Sequence, residues 1–273
     1  MVRSLWTGAT GMIAQQLNVD NIANNLANVN TTGYKSEVME FKSLLYQTIQ
    51  TRTTTANGEN KPIGAEVGLG VRNSSITAIF TDGSLLETPG EANLALNGRG
   101  FFGVRGADGN TYYTRNGNFV FAVGPEGITL ETTDGLPVLD SEGEPIIFED
   151  DDIVTSKITI GQKDGMFYYP NEQGKLESMD VQVGLWQFNN PAGLHREGDS
   201  LYSETSASGE AMNEADNENL PKTKVIQGYL EGSNVQIADE MVNLIVAQRA
   251  YEMNSKVITT SDEMLQQANQ LKR

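Results

Sequence analysis

A glycine-rich segment is the first place in the sequence where residue types and spacing could support chemistry. The run Gly98-Arg99-Gly100-Phe101-Phe102-Gly103 matches the G-x-G-x-x-G pattern of dinucleotide-binding loops. That chemistry needs a helix that opens at the glycines and directs its N-terminus at the pyrophosphate. Here two phenylalanines and a Gly-Ala-Asp-Gly-Asn turn follow instead. The segment therefore predicts turn and bulge glycines beside a buried aromatic strand rather than a cofactor site.

The other candidate groups are one histidine and one run of acids. A Ser-His-Asp triad would have to use His195, the single histidine, which lies in a loop-like segment without a nucleophile-elbow sequence. Residues 149–152 (EDDD) could attract a divalent cation but lack the spaced ligands and central Gly of a calcium loop. A solvated histidine and a charged surface turn are favoured. A glycosidase-like pair among the other carboxylates stays open, because nothing selects one pair. We expect no catalytic, cofactor-binding or metal site, and we expect that the protein is not an enzyme.

Composition and charge narrow the function classes further. The chain has 273 residues, no cysteine and a net charge of -17. Residues 1–45 sum to zero charge and residues 233–273 to -1, so the middle carries -16. Nucleic acid is an unsuitable partner for such a surface, because phosphate binding needs clustered Lys and Arg. No apolar run reaches the ~20 residues that span a bilayer, and the start lacks the apolar core of a cleavable secretion signal.

The amino-terminal segment predicts an amphipathic helix from about Leu5 to Val29. Apolar residues recur on one face with the seven-residue spacing of a coiled-coil seam: Leu5, Met12, Val19 and Leu26, joined by Ile22 and Val29. The opposite face carries amides where a solvated helix would show charges: Gln15, Asn18, Asn21, Asn25 and Asn28. Gly8 and Gly11 weaken the helix by roughly 1 kcal/mol each. This segment is expected to be poorly ordered alone and to become helical when packed.

The carboxy-terminal segment predicts a second and longer heptad helix. Ser233 with Gln236 fits a capping box. The apolar repeat that follows is Ile237, Leu244, Tyr251, Ile258 and Leu265, with Met241 nearby. Two heptad helices at opposite ends of one chain favour a coiled coil closed by the termini. Spacing alone leaves open that both are ordinary core helices of a soluble bundle. A membrane-surface role is disfavoured, because neither helix has a basic polar face.

The middle of the chain predicts β structure. Residues 34–48 form a second amphipathic stretch, and from about residue 76 short apolar runs alternate with Gly-containing turns. Asn116-Gly117 is the strongest short hairpin signal. The sequence thus predicts an α+β protein: a discontinuous helical coiled-coil domain with an inserted antiparallel β-barrel or sandwich. The expected divisions are residues 1–32 with 233–273 (terminal helices), 33–75 with 200–232 (connecting region) and 76–199 (outer β domain).

Several of these segments resemble one known family. They are residues 23–35 (ANNLANVNTTGYK), 96–102 (LNGRGFF), 113–117 (YTRNG), 227–235 (QGYLEGSNV) and 244–252 (LIVAQRAYE). The chain resembles the flagellar basal-body rod and hook family of axial proteins along nearly its whole length. The last two segments are highly specific to that family.

The resemblance implies a function and an assembly. It implies a structural subunit of the distal rod, with the proximal rod or the hook as the alternative, and copies that stack helically into a hollow periplasmic tube. The implied partners are other copies, other rod proteins, the hook protein, the flagellar type III export apparatus and surrounding ring proteins. The family gives no catalytic residues. Residues 50–67 resemble the insert that distinguishes a straight distal rod from a curved hook. Four amides are expected to bond between subunits or to face the lumen: Asn21, Asn24, Asn25 and Asn28.

Overall fold

The computed structural model of the chain describes residues 2–50, 65–124, 127–148, 154–162, 164–171, 175–217 and 220–271. Most of the insert at 50–67 and the whole acidic run at 149–152 lie outside the described residues. The chain divides into two compact units. The first comprises Met1–Ala27, Glu37–Thr77 and Gln236–Arg273, and the second comprises Asn28–Ser36 and Ala78–Val235. Each unit therefore contains segments from both halves of the sequence.

The first unit contains both long helices, α1 (Val2–Ala27) and α2 (Ile237–Gln270). Its strands are β1 (Glu37–Ser43), β2 (Tyr46–Gln50), β3 (Ala65–Gly68) and β4 (Val71–Ala78, whose last residue falls in the second unit). Strand β1 pairs with β4, and β2 pairs antiparallel with β3. Most of the amphipathic stretch at 34–48 thus lies in strands β1 and β2. Neither helix in the described chain is both long and apolar enough to cross a membrane.

The second unit is built from short strands. Their bounds are β5 (Leu85–Glu87), β6 (Leu94–Asn97), β7 (Phe101–Arg105), β8 (Thr111–Thr114), β9 (Phe119–Gly124), β10 (Gly127–Thr132), β11 (Ile147–Phe148), β12 (Thr159–Ile160), β13 (Met166–Pro170), β14 (Leu176–Gln182), β15 (Leu185–Gln187), β16 (His195–Gly198), β17 (Leu201–Ser203), β18 (Met212–Asn213), β19 (Lys224–Gln227) and β20 (Tyr229–Glu231). Together with α1 and α2 they make the chain an α+β protein.

The strands form several antiparallel sheets. The largest has the order β16-β17-β8-β7-β15-β18, and two smaller sheets have the orders β11-β10-β9 and β12-β13-β14. Two further pairs, β19 with β6 and β20 with β5, bring late strands beside early ones. Among the described strands no sheet closes into a barrel.

Two apolar cores lie on opposite sides of strand β7, because successive side chains of a strand point to opposite faces. Phe102 and Val104 belong to an aliphatic core with Leu94 and Phe119, and all four are at most 2% exposed. Phe101 belongs to an aromatic core whose other members are Tyr113, Leu139, Trp186, Phe188 and Tyr202. Its rings meet edge to face, with centroids 4.9 Å apart for Tyr113 and Phe188.

Two local predictions are wrong. Asn116-Gly117 does not join a hairpin, because β8 pairs with β7 and β17 while β9 pairs with β10. Instead the Asn116 side chain accepts hydrogen bonds from Thr32 Oγ1 at 2.9 Å and from the Asn118 amide at 3.1 Å. The capping box is also absent: α2 has Gln236 as its N-cap residue, without a side-chain capping bond. Ser233 Oγ accepts from the Val235 amide instead, at 3.2 Å.

Tyr113, a buried tyrosine of the aromatic core, should make the protein less stable at alkaline pH. Burial raises the pKa of Tyr113 from 10.0 to about 12, and the Glu204 carboxylate acts in the same direction. Below pH 10 both states keep the proton, and between about pH 10 and 12 the unfolded chain loses it first. The free energy of unfolding should therefore fall by about 2 kcal/mol across that interval. Urea unfolding at several pH values measures this, and Tyr113→Phe should make the decline shallower. Parallel pH profiles for the two proteins would contradict the assignment.

Candidate assembly surface

The two helices of the first unit approach each other closely at glycines of α1. A Cβ atom at Gly8 would lie 2.9 Å from Ile258 Cγ1, and one at Gly11 would lie 2.8 Å from Asn254 Nδ2. Both distances are shorter than real Cβ contacts, so α2 occupies the space that larger side chains would need. The helix propensity lost at these glycines is thus explained by the close packing of α1 and α2. We call this contact face the inner seam.

Asparagine side chains fasten α1 to β1 and to α2. The Asn25 amide donates to Glu37 O at 2.9 Å and to Glu240 Oε1 at 3.0 Å, and Asn25 Oδ1 accepts from Glu37 N at 2.9 Å. The carboxamide thus exchanges the same two bonds with Glu37 that a neighbouring strand would. Asn21 also donates to Glu37 O, at 2.9 Å. The expectation that these two amides bond between subunits or face the lumen is therefore corrected, because both are buried and bonded inside the subunit.

The structure places the predicted packing residues in three groups. Ile22 and Asn25 are buried. The half-buried group is Leu5, Met12, Val19, Leu26, Asn28, Val29, Leu244, Ile258 and Leu265. The exposed group is Asn24, Ile237, Met241 and Tyr251. The apolar heptad of α1 that begins at Leu5 therefore lies beside the inner seam rather than in it.

Sequence reasoning missed the small and polar residues that form the inner seam. They are Ser4, Gly8, Gly11 and Ala14 on α1, and Ala247, Asn254 and Ser261 on α2. A signal was present, because Ser4, Gly11, Asn18 and Asn25 also recur every seven residues. It was passed over because an apolar repeat with the same period starts one residue later.

A second apolar stripe runs along the solvent side of α2. Val246, Met253, Val257 and Met264 are between 45% and 64% exposed, and they lie roughly 100° around the helix from the inner seam. We call them the outer stripe of α2. The exposed apolar residues of α1 are Trp6, Ile13 and Leu17. Exposed apolar residues at heptad spacing indicate a surface that contacts another protein.

In the second unit, distant segments converge on one buried carboxylate. Glu231 Oε1 accepts from Lys35 Nζ at 2.5 Å, and Glu231 Oε2 accepts from Arg115 Nη1 at 3.3 Å. All three side chains are at most 1% exposed. Arg115 Nη2 also donates to Gly98 O at 2.6 Å, and the half-exposed Asp82 carboxylate lies 3.7 Å from Arg115 Nη1. Four of the segments that carry the family resemblance therefore meet at this ion cluster.

The ion cluster holds more positive than negative charge away from water. Burial lowers the pKa of Lys35 below its ordinary value of 10.5, Glu231 opposes that effect, and Arg115 adds to it. A lysine whose pKa is lowered by folding costs stability while it is charged. That cost disappears as the pH rises from the lowered pKa to 10.5, because only the folded protein has then lost the proton.

Replacing Lys35 with methionine should therefore have a small effect. Arg115 still pairs with Glu231, so we expect the free energy of unfolding at pH 7 to stay within about 1.5 kcal/mol of the wild type. Between pH 7 and 10.5 the wild type should gain stability relative to Lys35→Met. Urea unfolding of both proteins across this range measures their free energies of unfolding. The difference between the two values removes the effect of tyrosine ionisation, which both proteins share. A difference that moves in the opposite direction would contradict the sign of the shift.

The motifs with possible chemistry occupy structural positions. The glycine-rich segment leads into β7 and a hairpin, without a helix, as predicted. A Cβ at Gly103 would lie 2.2 Å from Trp186 Cζ3, so this glycine makes room for the indole. His195 is exposed and lies on edge strand β16 rather than in a loop. Within the described ranges no three His, Cys, Asp or Glu side chains converge as metal ligands would.

Comparison with models of known protein families identifies the class of protein to which the chain belongs. Residues 5–35 match the family model described as flagella basal body rod protein, residues 95–180 the flagellar hook protein FlgE/F/G D1 domain, and residues 226–271 the flagellar basal body rod FlgEFG protein C-terminal. The matched ranges include α1, strands of the second unit and α2. The chain thus has the segments that define flagellar rod and hook proteins.

Full-length relatives narrow the class further. The chain is 42% identical to flagellar basal-body rod protein FlgG of Borreliella burgdorferi over 100% of both chains. It is 38% identical to FlgG of Bacillus subtilis over 100% of both. It is 32% identical to flagellar hook-basal body complex protein FlhP of Bacillus subtilis over 97% of each. The chain belongs to the FlgG family of flagellar basal-body rod proteins, whose members are named as rod proteins and not as enzymes.

Proposed function

We propose that this chain is a structural subunit of the distal rod of the bacterial flagellum. The observation that carries the proposal is its similarity, at 42% identity and full length, to a protein named as a flagellar basal-body rod protein. The two apolar surfaces left exposed on the terminal helices support it, because a subunit that assembles needs such surfaces and a monomeric enzyme does not.

The assembly would be helical and built from one kind of contact. In this proposal the terminal helices form a coiled-coil inner domain, and the outer stripe of α2 packs against the exposed apolar residues of α1 in a neighbouring copy. Two different patches in contact make a heterologous interface, which repeats without closing unless its rotation makes a ring. Stacked copies would form a hollow shaft that transmits torque and lets later subunits pass.

The proposed packing residues keep the roles that sequence reasoning gave them wherever the fold leaves them accessible. Ile237, Met241 and Tyr251 are exposed and available to a neighbouring copy, and Asn24 is exposed as well. The acidic second unit would face outward, where its charge keeps the assembled surface soluble. The proposed division is residues 1–32 with 233–273 as the inner domain, 33–75 with 200–232 as the connecting region, and 76–199 as an outer sandwich-like β domain.

The proposed partners follow from the same assignment. They are other copies of the chain, other rod proteins, the hook protein, the type III export apparatus that would deliver the chain to the periplasm, and surrounding ring proteins. Nucleic acid and membrane insertion have no place in this proposal. The proximal rod and the hook are the alternative. They are less favoured, because the two full-length relatives at 42% and 38% identity described above are named FlgG.

The direct test is genetic. In the organism that encodes the chain, deletion of residues 1–30 should abolish swimming and leave basal bodies without hook and filament, while the full-length gene restores both. Complete, rotating flagella in the deletion strain would refute the structural role. The predicted poor order of the terminal helices in a dilute monomer remains a prediction, and amide hydrogen exchange measures it.

A further inference from the structure

The inner seam contains a polar contact near each of its ends. Ser4 Oγ lies 3.0 Å from Ser261 Oγ, near the start of α1 and the end of α2. Ser261 also donates its hydroxyl hydrogen to Val257 O at 2.7 Å. At the other end of the seam Asn25 donates to Glu240. These two pairs fix an antiparallel arrangement of the helices.

The intermediate positions keep the same register. Gly11, seven residues after Ser4, faces Asn254, which is seven residues before Ser261. Asn18 and Ala247 are the remaining members of the two series, and Ala247 is 1% exposed. Each step of seven along α1 is thus matched by a step of seven in the opposite direction along α2. We call this series the polar ladder.

A polar ladder inside a helix pair is unusual where larger apolar residues are available beside it. Polar residues at heptad positions reduce stability but select one register, because a slipped register leaves their hydrogen-bonding groups unpaired. A slip by one heptad would take Asn25 away from Glu240 and Ser4 away from Ser261. The outer stripe of α2 is apolar instead. Its side chains make no directional hydrogen bonds, so a change of register would leave none of them unpaired.

We propose that the polar ladder is a specificity determinant that selects a single antiparallel register for α1 and α2 within one subunit. It also discourages α1 from packing on the outer stripe of its own α2, because Asn25 and Ser4 would lose their partners there. The outer stripe is thereby left for another copy of the chain. Only this last step rests on the proposed function, and the register itself rests on the three contacts described.

The cysteine-free chain allows the register to be measured by disulfide equilibrium. One protein carries Ser4→Cys with Ser261→Cys, whose hydroxyls are in contact in the wild type. The matched control carries Ser4→Cys with Ala268→Cys, one heptad further along α2 and about 10 Å away along the helix axis. In dilute solution in a glutathione buffer, the fraction of intramolecular disulfide gives the effective concentration of each thiol pair. We expect the Ser261 pair to exceed the Ala268 pair by about tenfold or more.

Removing the ladder from α2 tests its role directly. In a Glu240→Leu, Asn254→Leu background the helix pair becomes more apolar, and we expect the ratio of the two effective concentrations to fall towards one. A second route avoids leucine altogether, because Asn25→Asp places a carboxylate beside that of Glu240 and should lower the ratio. Adding Glu240→Gln should restore part of the ratio, because the glutamine amide can donate to the new carboxylate while the bond from residue 25 to Glu37 O stays lost. Circular dichroism checks that helix content is retained.

Two results would overturn the inference. One is equal closure of the two thiol pairs in the otherwise native chain, which would show that the register is not selected. The other is a ratio that stays unchanged in both the leucine and the Asn25→Asp variants, which would show that other contacts select it. Neither result depends on assembly. A native register in a protein that never assembles would count against the proposed function and not against the ladder.

Discussion

Replacing Glu231 with glutamine should lower the free energy of unfolding of the second unit by about 3–5 kcal/mol. The carboxylate is the one negative group in buried contact with Lys35 and Arg115 among the described residues. Glutamine keeps the shape but leaves two buried cations with only a half-exposed Asp82 nearby. Its amide also places hydrogens where the carboxylate accepts hydrogen bonds. Loss of the Glu231 ion pairs should weaken the packing of all four segments that meet at the ion cluster.

Urea unfolding followed by the fluorescence of Trp186 measures this effect. The chain has two tryptophans, so a Trp6→Phe background leaves Trp186, in the second unit, as the only reporter. Glu197→Gln is the matched control, because it removes the same charge from an exposed side chain of the second unit that only accepts a hydrogen bond from Ser203 Oγ, at 2.8 Å. That variant should stay within about 0.5 kcal/mol of its parent. A Glu231→Gln variant as stable as the control would show that the cluster contributes little.

A single charge in the outer stripe of α2 should abolish assembly without unfolding the subunit. Val257 is 45% exposed in the free subunit, so aspartate is hydrated there and costs little. If a neighbouring copy covers Val257, the buried aspartate would weaken each contact by about 3 kcal/mol, which is more than a hundredfold in the association constant. Because every subunit repeats the contact, the effect on a long assembly is larger still.

Cells that express Val257→Asp in place of the native chain should therefore not swim. The purified variant should unfold at the same temperature as the wild type, which separates lost assembly from lost folding. Thr259→Asp is the control, since Thr259 is exposed on α2 well away from the outer stripe and gains the same charge. It should leave swimming intact. Normal swimming by the Val257→Asp strain would show that the outer stripe of α2 is not an assembly surface.

The elements that follow from local rules were predictable. Both terminal helices appear close to the expected places, and the glycine-rich segment forms a strand entry as predicted. Gly33 takes a left-handed conformation with φ +68°, which glycine adopts readily. Periodicity, glycine and turn chemistry decide such features within a few residues, so sequence alone contains the needed information.

Features that depend on tertiary partners were not predictable. The Asn116-Gly117 dipeptide has hairpin chemistry, yet Asn116 is bonded to Thr32, which is 84 positions earlier in the chain. The phase of the α1–α2 contact was missed by one residue, because apolar periodicity shows which residues avoid water but not which partner covers them. Here glycines and polar residues face the partner inside the subunit, and larger apolar residues remain beside the contact or in solvent.

The ion cluster was likewise not predictable from the sequence. Lys35, Arg115 and Glu231 each stood inside a segment that carried the family resemblance, but nothing in their spacing indicated that they meet. Charged residues are rarely buried unless paired, and no local pattern shows which of them will pair. Only the fold brings the three together.

Electron microscopy of the concentrated purified protein would show whether the chain assembles with itself into a straight tube, as proposed. Wild-type protein should form straight tubes of uniform diameter, Val257→Asp should remain monomeric, and deletion of residues 50–67 should give curved tubes or none. Wild-type protein that stays monomeric at every concentration, or Val257→Asp protein that forms the same tubes, would contradict the account.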